Sequence, residues 1–233
     1  GDYATEEWPD PQKGLAAMIT RLDGDVGRLL EMLDALDMEE ETIIFFTSDN
    51  GPHAEGGNDP QFFGSSGGLR GIKRDLYEGG IRVPMIVRWK GRSPAGSTSD
   101  HVGYFGDLMA TAADLAGVPP PESIDSVSFL PAILGDGEHQ NQHEYRYWEF
   151  YERGSAQAVR VGRWKAIRQP MFNGPVELYD LSQDPGEKLD LAIENPEIVR
   201  RLTAVMEAAH EPSELWKVKA PEEESAPIQT PDS

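Results

Sequence analysis

The 233 residues carry 21 Lys plus Arg against 41 Asp plus Glu, a formal charge of −20, with 38% hydrophobic residues and no cysteine. That charge repels phosphate backbones and argues against nucleic acid as a partner, while the missing cysteines exclude disulfides and thiolate metal sites. No run approaches the roughly 18 apolar residues of a membrane span, and the polar start GDYATEEWPD is unlike a signal peptide.

From Leu15 the apolar residues Met18, Ile19, Leu22, Val26, Leu29, Leu30 and Leu33 fall at helical spacing, with Arg21, Asp23, Arg28 and Glu31 mostly opposite. Gly24 and Gly27 weaken this helix and would permit close packing against a neighbour. An acidic turn leads into Thr42-Ile43-Ile44-Phe45-Phe46-Thr47, an uninterrupted β-branched and aromatic run that predicts a strand covered on both faces. It stops at Ser48-Asp49-Asn50-Gly51-Pro52. Residues 53–80 are glycine-rich and aperiodic, which reads as an ordered functional loop. A second buried strand is expected over Val83–Trp89, and a helix over 105–116, ended by Gly117 and Pro119 to Pro121. Helix, strand, loop, strand, helix is the rhythm of an α/β layered domain.

After about residue 135 the pattern becomes short and alternating. Tyr145 to Tyr151, the runs flanking Gly162-Arg163, and Glu177 to Leu181 predict a small antiparallel sheet. Asn195-Pro196 opens a helix with an apolar face of Ile198, Val199, Leu202, Val205 and Met206. The division expected is 1–135, 136–212 for the small C-terminal unit, and a loose tail over 213–233 rich in Pro, Glu and Ser.

Two features carry candidate chemistry. Asp49-Asn50-Gly51 ends a strand, where ligands collect in open α/β sheets. A carboxylate beside an amide oxygen suits Ca²⁺ or Mg²⁺ and not soft metals, and the same tripeptide also suits an ordinary turn. The second is Gly68-Leu69-Arg70-Gly71-Ile72-Lys73-Arg74 followed by Glu78-Gly79-Gly80. Its cations sit among glycines that let backbone approach an anion. A basic surface loop is the competing reading, and no Walker spacing occurs.

Together the runs TSDNGPH and GLRGIKRDLYEGGIRVPMIVRWKG resemble the second signature region of the type I (formylglycine-dependent) sulfatases, arylsulfatase-like, in their C-terminal half. The resemblance continues through DLMATAADLAG, SIDSVSFLPAILG and VELYDLSQDPGEKLDL, in order over most of residues 15–195. It implies an α/β fold: the second half of an alkaline-phosphatase-like sandwich, with a small C-terminal antiparallel sheet and a helix. It implies sulfuric ester hydrolysis, with sulfated small molecules or glycans as substrates and a periplasmic or secreted location. Asp49 and Asn50 match the Ca²⁺-ligating pair, Mg²⁺ being the weaker alternative. Lys73 matches the catalytic lysine that contacts sulfate oxygens. His53 stands open between a substrate contact and an exposed or bracing role. Arg70 and Glu78 are expected to brace the loop, and His101, His139, His143 and His210 to be structural or exposed.

The departures are the absence of cysteine and of any Ser in an S-x-P-x-R setting, so the formylglycine nucleophile and its Asp-Asp companions have no counterpart here. The expectation is therefore a fragment, inactive alone, that binds calcium weakly. Two alternatives remain: a phosphodiesterase or phosphonate hydrolase of the same superfamily, and a non-catalytic scaffold that binds sulfated glycans or a partner.

Overall fold

A computed structural model describes residues 1–152 and 154–215. Residues 216–233 of the expected tail lie outside the described residues. The chain divides into two compact units, the first made of Gly1–Asp49, Ala54–Phe62 and Val83–His143, the second of Asn50–His53, Phe63–Arg82 and the chain from Glu144.

In the first unit, α1 (Asp10–Ala35) starts behind Pro9, with Pro11 in its first turn, where a missing N–H costs nothing. Gly24 and Gly27 make no close packing: a Cβ built at either meets nothing within 4 Å among the described residues. Strands β1 (Ile44–Thr47) and β2 (Met85–Arg88) pair antiparallel, with Phe46 opposite Ile86. The expectation that both are buried on both faces is corrected, because Phe46 is 40% exposed and Ile86 61%. On the other face of this two-stranded ribbon Phe45 meets Phe129 edge-on at 6.1 Å.

The same unit holds α3 (Asp107–Leu115) and the short α4 (Leu130–Ile133). They are joined by buried polar bonds. The Asp107 carboxylate, fully buried, accepts from the backbone N–H of Tyr104 and Val127, and lies 2.7 Å from His143 Nε2. Thr111 donates to the Asp107 carbonyl and accepts from Phe129 N–H.

The second unit is built on a four-stranded antiparallel sheet in the order β3 (Arg146–Phe150), β4 (Ala156–Val161), β5 (Trp164–Arg168), β6 (Val176–Asp180). The hairpin between β4 and β5 turns at Gly162, whose φ of +57° suits glycine. Strand alternation gives the sheet two different faces. Val159, Ala166 and Leu178 point toward α5 (Pro196–Ala209) and pack on Leu202 and Met206, all five fully buried. Ala158, Ile167 and Tyr179 point the other way, with Leu76, Tyr77 and Ile81 of the glycine-rich segment packed against them. The expected small sheet with its helix is thus present, and its second face carries the loop that holds Lys73.

Candidate functional site

Within the second unit the glycine-rich segment folds into a tight backbone knot. A single turn of helix, α2 (Glu78–Ile81), has its two glycines buried. Gly79 N–H donates to Arg70 C=O at 2.6 Å, and Gly51 N–H donates to Gly80 C=O at 2.9 Å. One step along, Lys73 N–H donates to Pro52 C=O at 2.8 Å. These bonds draw the Asn50–His53 stretch and the Lys73 loop together.

The approach is close enough to demand glycine. A Cβ on Gly51 would lie 1.8 Å from Gly79 O, one on Gly79 2.3 Å from Gly71 O, and one on Gly80 2.1 Å from Asp75 O. Gly71 is different, since its φ of +86° calls for glycine on conformational grounds.

Asp49 is exposed just after β1, at the end of the first unit's opening segment, while Asn50, His53 and Lys73 are half-buried in the second unit. Asn50 Nδ2 donates to Gly51 C=O at 3.0 Å, so any cation this amide meets is met through Oδ1. The carboxylate and the amide oxygen are hard donors, which fits Ca²⁺ or Mg²⁺ in kind. They are two donors where calcium takes about six to eight. Among the described residues no group of three or more His, Cys, Asp or Glu could hold a metal. The pair therefore fits as part of a ligand set.

Arg70 and Glu78 both tie this segment to the sheet. The Arg70 guanidinium stacks 3.7 Å from the Tyr77 ring centroid and donates to Tyr179 Oη at 2.7 Å and Tyr77 Oη at 2.9 Å. Both phenols donate in turn to the Glu177 carboxylate. Burial, first, and that carboxylate hold both phenols well above the ordinary tyrosine range. Glu78 enters a buried charge cluster that sequence reasoning missed. Lys165, fully buried on β5, lies 2.9 Å from Glu78 Oε1 and 2.8 Å from Glu187 Oε1. Burial pushes the Glu187 carboxyl up, against the pull of the Lys165 ammonium. The one available signal was a lysine in the apolar run Trp164 to Ile167, where alternation puts it on the same face as Ile167.

Three of the four remaining histidines pair with carboxylates, His139 with Asp136, His143 with Asp107 and His210 with Glu149. His101 lies against the Phe129 ring. Tyr147 and Tyr151 also hydrogen-bond Glu149, and Trp148 and Phe150 pack on the sheet core.

Comparison with known proteins bears on this arrangement. The family described as Sulfatase matches residues 13–118, and that described as N-sulphoglucosamine sulphohydrolase, C-terminal, matches residues 71–211. The chain is 31% identical over 229 residues to the N-acetylgalactosamine-6-sulfatase of Canis lupus familiaris, covering 81% of this chain and 41% of that protein. It is 31% identical over 211 residues to the N-acetylgalactosamine-6-O-sulfatase of Bacteroides thetaiotaomicron (82% and 40%). It is 34% identical over 215 residues to human (Homo sapiens) arylsulfatase A (79% and 41%). Among solved structures, that of Ps i-CgsB in complex with k-i-k-neocarrahexaose superposes with a TM-score of 0.76 at 29% identity, over 94% of this chain and 48% of that one. A complex of another protein with its substrate D-glucosamine-2-N,6-O-disulfate gives a TM-score of 0.65 at 26% identity, over 82% and 38%. The chain spans about two fifths of the length of the curated relatives it matches.

Proposed function

We propose that this chain, which belongs to the sulfatase family, supplies the Asp49, Asn50 and Lys73 portion of a site that hydrolyses sulfate esters. It has the alkaline-phosphatase-like fold of its solved relatives. The observation that carries the reading is the 2.8 Å bond from Lys73 N–H to Pro52 C=O. It fixes the lysine loop two residues from Asn50, so one backbone element holds both an oxygen donor for a cation and a cation for an oxyanion.

In this reading Asp49 and Asn50 are ligands to calcium, with magnesium, which demands near-ideal octahedral geometry, the weaker alternative. Calcium, when bound, supplies Lewis-acid polarisation of a sulfate oxygen. Lys73 places a compact positive charge against the sulfate oxygens and stabilises the charge that builds on them as the S–O bond breaks. His53, half-buried on the same stretch, contacts substrate. The family's formylglycine has no precursor in this chain, which has no Cys and no Ser in an S-x-P-x-R setting. The chain alone is accordingly proposed to be inactive, and turnover to belong to a protein that also carries that nucleophile.

Sulfated sugars are the proposed substrate class, supported by a relative named as an N-acetylgalactosamine-6-O-sulfatase and by one solved with its substrate D-glucosamine-2-N,6-O-disulfate. A periplasmic or secreted location belongs to the same reading. So do the division of the sequence at about residue 135 and a tail over 213–233.

Calorimetric titration with CaCl₂ tests the metal pair. The chain should bind weakly, with a dissociation constant on the order of 10⁻³ M, and Asp49→Ala should abolish the signal. Unchanged binding in that variant rules out the proposed ligand role. In a protein that also carries the nucleophile, Lys73→Ala should lower kcat on an aryl sulfate by about 10²–10³. A matching aryl phosphodiester, if turned over faster, would favour phosphodiester chemistry instead.

A further inference from the structure

We propose that Lys165 and Glu187 are positioning residues for this site, acting through Glu78 to hold the α2 glycines on which the Asn50–His53 stretch rests. The inference depends on the reading above for its functional meaning, and on geometry within the second unit for its substance.

Three ionisable side chains meet inside the protein. The side chains of Lys165 and Glu187 are both 0% exposed, and that of Glu78 is 4%. Further cations stand near: Arg82 at 3.9 Å and Arg160 at 4.0 Å from Glu78 Oε2, and Arg70, which donates to the Glu187 carbonyl at 3.3 Å. Burying such a cluster costs desolvation that apolar residues of the same volume would avoid, so its presence adds little to stability by itself. What it does fix is direction. Glu187 Oε2 accepts from the backbone N–H of Glu78 at 2.6 Å, while Lys165 grips the carboxylates of both residues. Glu78 is thereby held at backbone and at side chain together.

The next two residues pass that constraint on. Gly79 donates to Arg70 C=O and Gly80 accepts from Gly51 N–H. The Gly51 α-carbon sits so near the Gly79 carbonyl that an added methyl would lie 1.8 Å from it. A contact without slack transmits displacement. If Glu78 shifts, Gly51 shifts with it, and so do Asn50 before it and the Pro52 carbonyl that Lys73 binds. Lys165 and Glu187 act on Glu78, the residue before the α2 glycines, which makes their role one of placement.

The experiment is residue-resolved amide hydrogen exchange on the full 233-residue chain, comparing wild type with Lys165→Met and, separately, Glu187→Gln. Exchange at Gly51, Lys73 and Gly79 should accelerate by about tenfold or more, while Val159 and Leu178 in the sheet keep their rates, as expected of local opening. Uniform acceleration across the second unit would reduce the cluster to a general structural role, and unchanged rates at Gly51 and Lys73 would refute the inference outright. Should Lys165→Met fail to fold, Glu187→Gln makes the same comparison, since it keeps the side-chain length and an acceptor for Glu78 N–H. The exchange is measured without calcium or ester, so its failure is separable from failure of the metal reading, which the calcium titration decides.

Discussion

Gly51 and Gly24 show how differently two glycines behave. Gly51 has a φ open to any residue, yet its α-carbon faces the Gly79 carbonyl with no room for a methyl. Gly51→Ala should destabilise the chain by about 1–3 kcal/mol through overpacking. Gly24 lies inside α1 with nothing within 4 Å of a built Cβ, so Gly24→Ala should stabilise by about 0.8–1 kcal/mol from helix propensity alone. Urea denaturation of the two variants reads both signs, and equal effects would contradict the packing argument. Asp49, Asn50 and Lys73 were singled out from the runs TSDNG and GIKR through the resemblance to a family, since residue types alone left an ordinary turn and a basic surface loop open, and their roles stand as proposals. Which glycines are sterically locked was not nameable, since a glycine's neighbours are set by contacts far along the chain. Lys165 was hidden for the same reason: its partner Glu78 is 87 positions away.

Among the elements, Glu39 shows how one side chain ties the acidic turn after α1 to β2. Lys90 and Arg88 both hydrogen-bond its carboxylate. The Lys90 bond, then the Arg88 bond, lower its pKa from 4.5 to about 2. A carboxyl lowered on folding stabilises the protein above its unfolded pKa and loses that contribution as acid protonates it. The stabilisation is thus complete above about pH 4.5 and fades as the pH falls toward 2. Glu39→Gln should flatten thermal stability across that window while leaving the neutral-pH fold intact, and a mutant profile as steep as wild type would discount the bridge. The helices α1 and α5 and the Gly162 hairpin were legible because 3.6-residue and 2-residue periodicities survive in local sequence. The covered faces of β1 and β2 were misread. An uninterrupted apolar run states that burial is favourable without stating what lies on each side, and Phe46 and Ile86 remain exposed. The single turn α2 gave no signal, since Gly79-Gly80 opposes helix by propensity and is held there by tertiary contact.

For the molecule as a whole, apolar exposure and charge pull in opposite directions. Along α1 and its C-terminal cap, Met18, Leu22, Leu29, Met32 and Leu36 are each between 51% and 64% exposed, separated by helical intervals that align them as a stripe. Such a stripe favours association, while the charge of −20 opposes it. Salt should decide between them, because the screening length falls from about 30 Å at 0.01 M to about 3 Å at 1 M. Sedimentation velocity is expected to show a monomer at low ionic strength and larger species at high. Dissociation on adding salt would mean that ion pairs, not apolar contact, hold the copies together.

The bond between Glu78 N–H and the Glu187 carboxylate spans 109 positions, and that span has a meaning in time. A ribosome adding about 5–20 residues per second would take roughly 5–20 s to travel from one to the other. During that interval Asn50, Gly51, Lys73 and the α2 glycines already exist, yet the lysine and the carboxylate that seat them are still unmade. The loop that brings the candidate chemistry together is among the first parts of this unit to be synthesised, and the bonds from Lys165 and Glu187 that seat it can form only later.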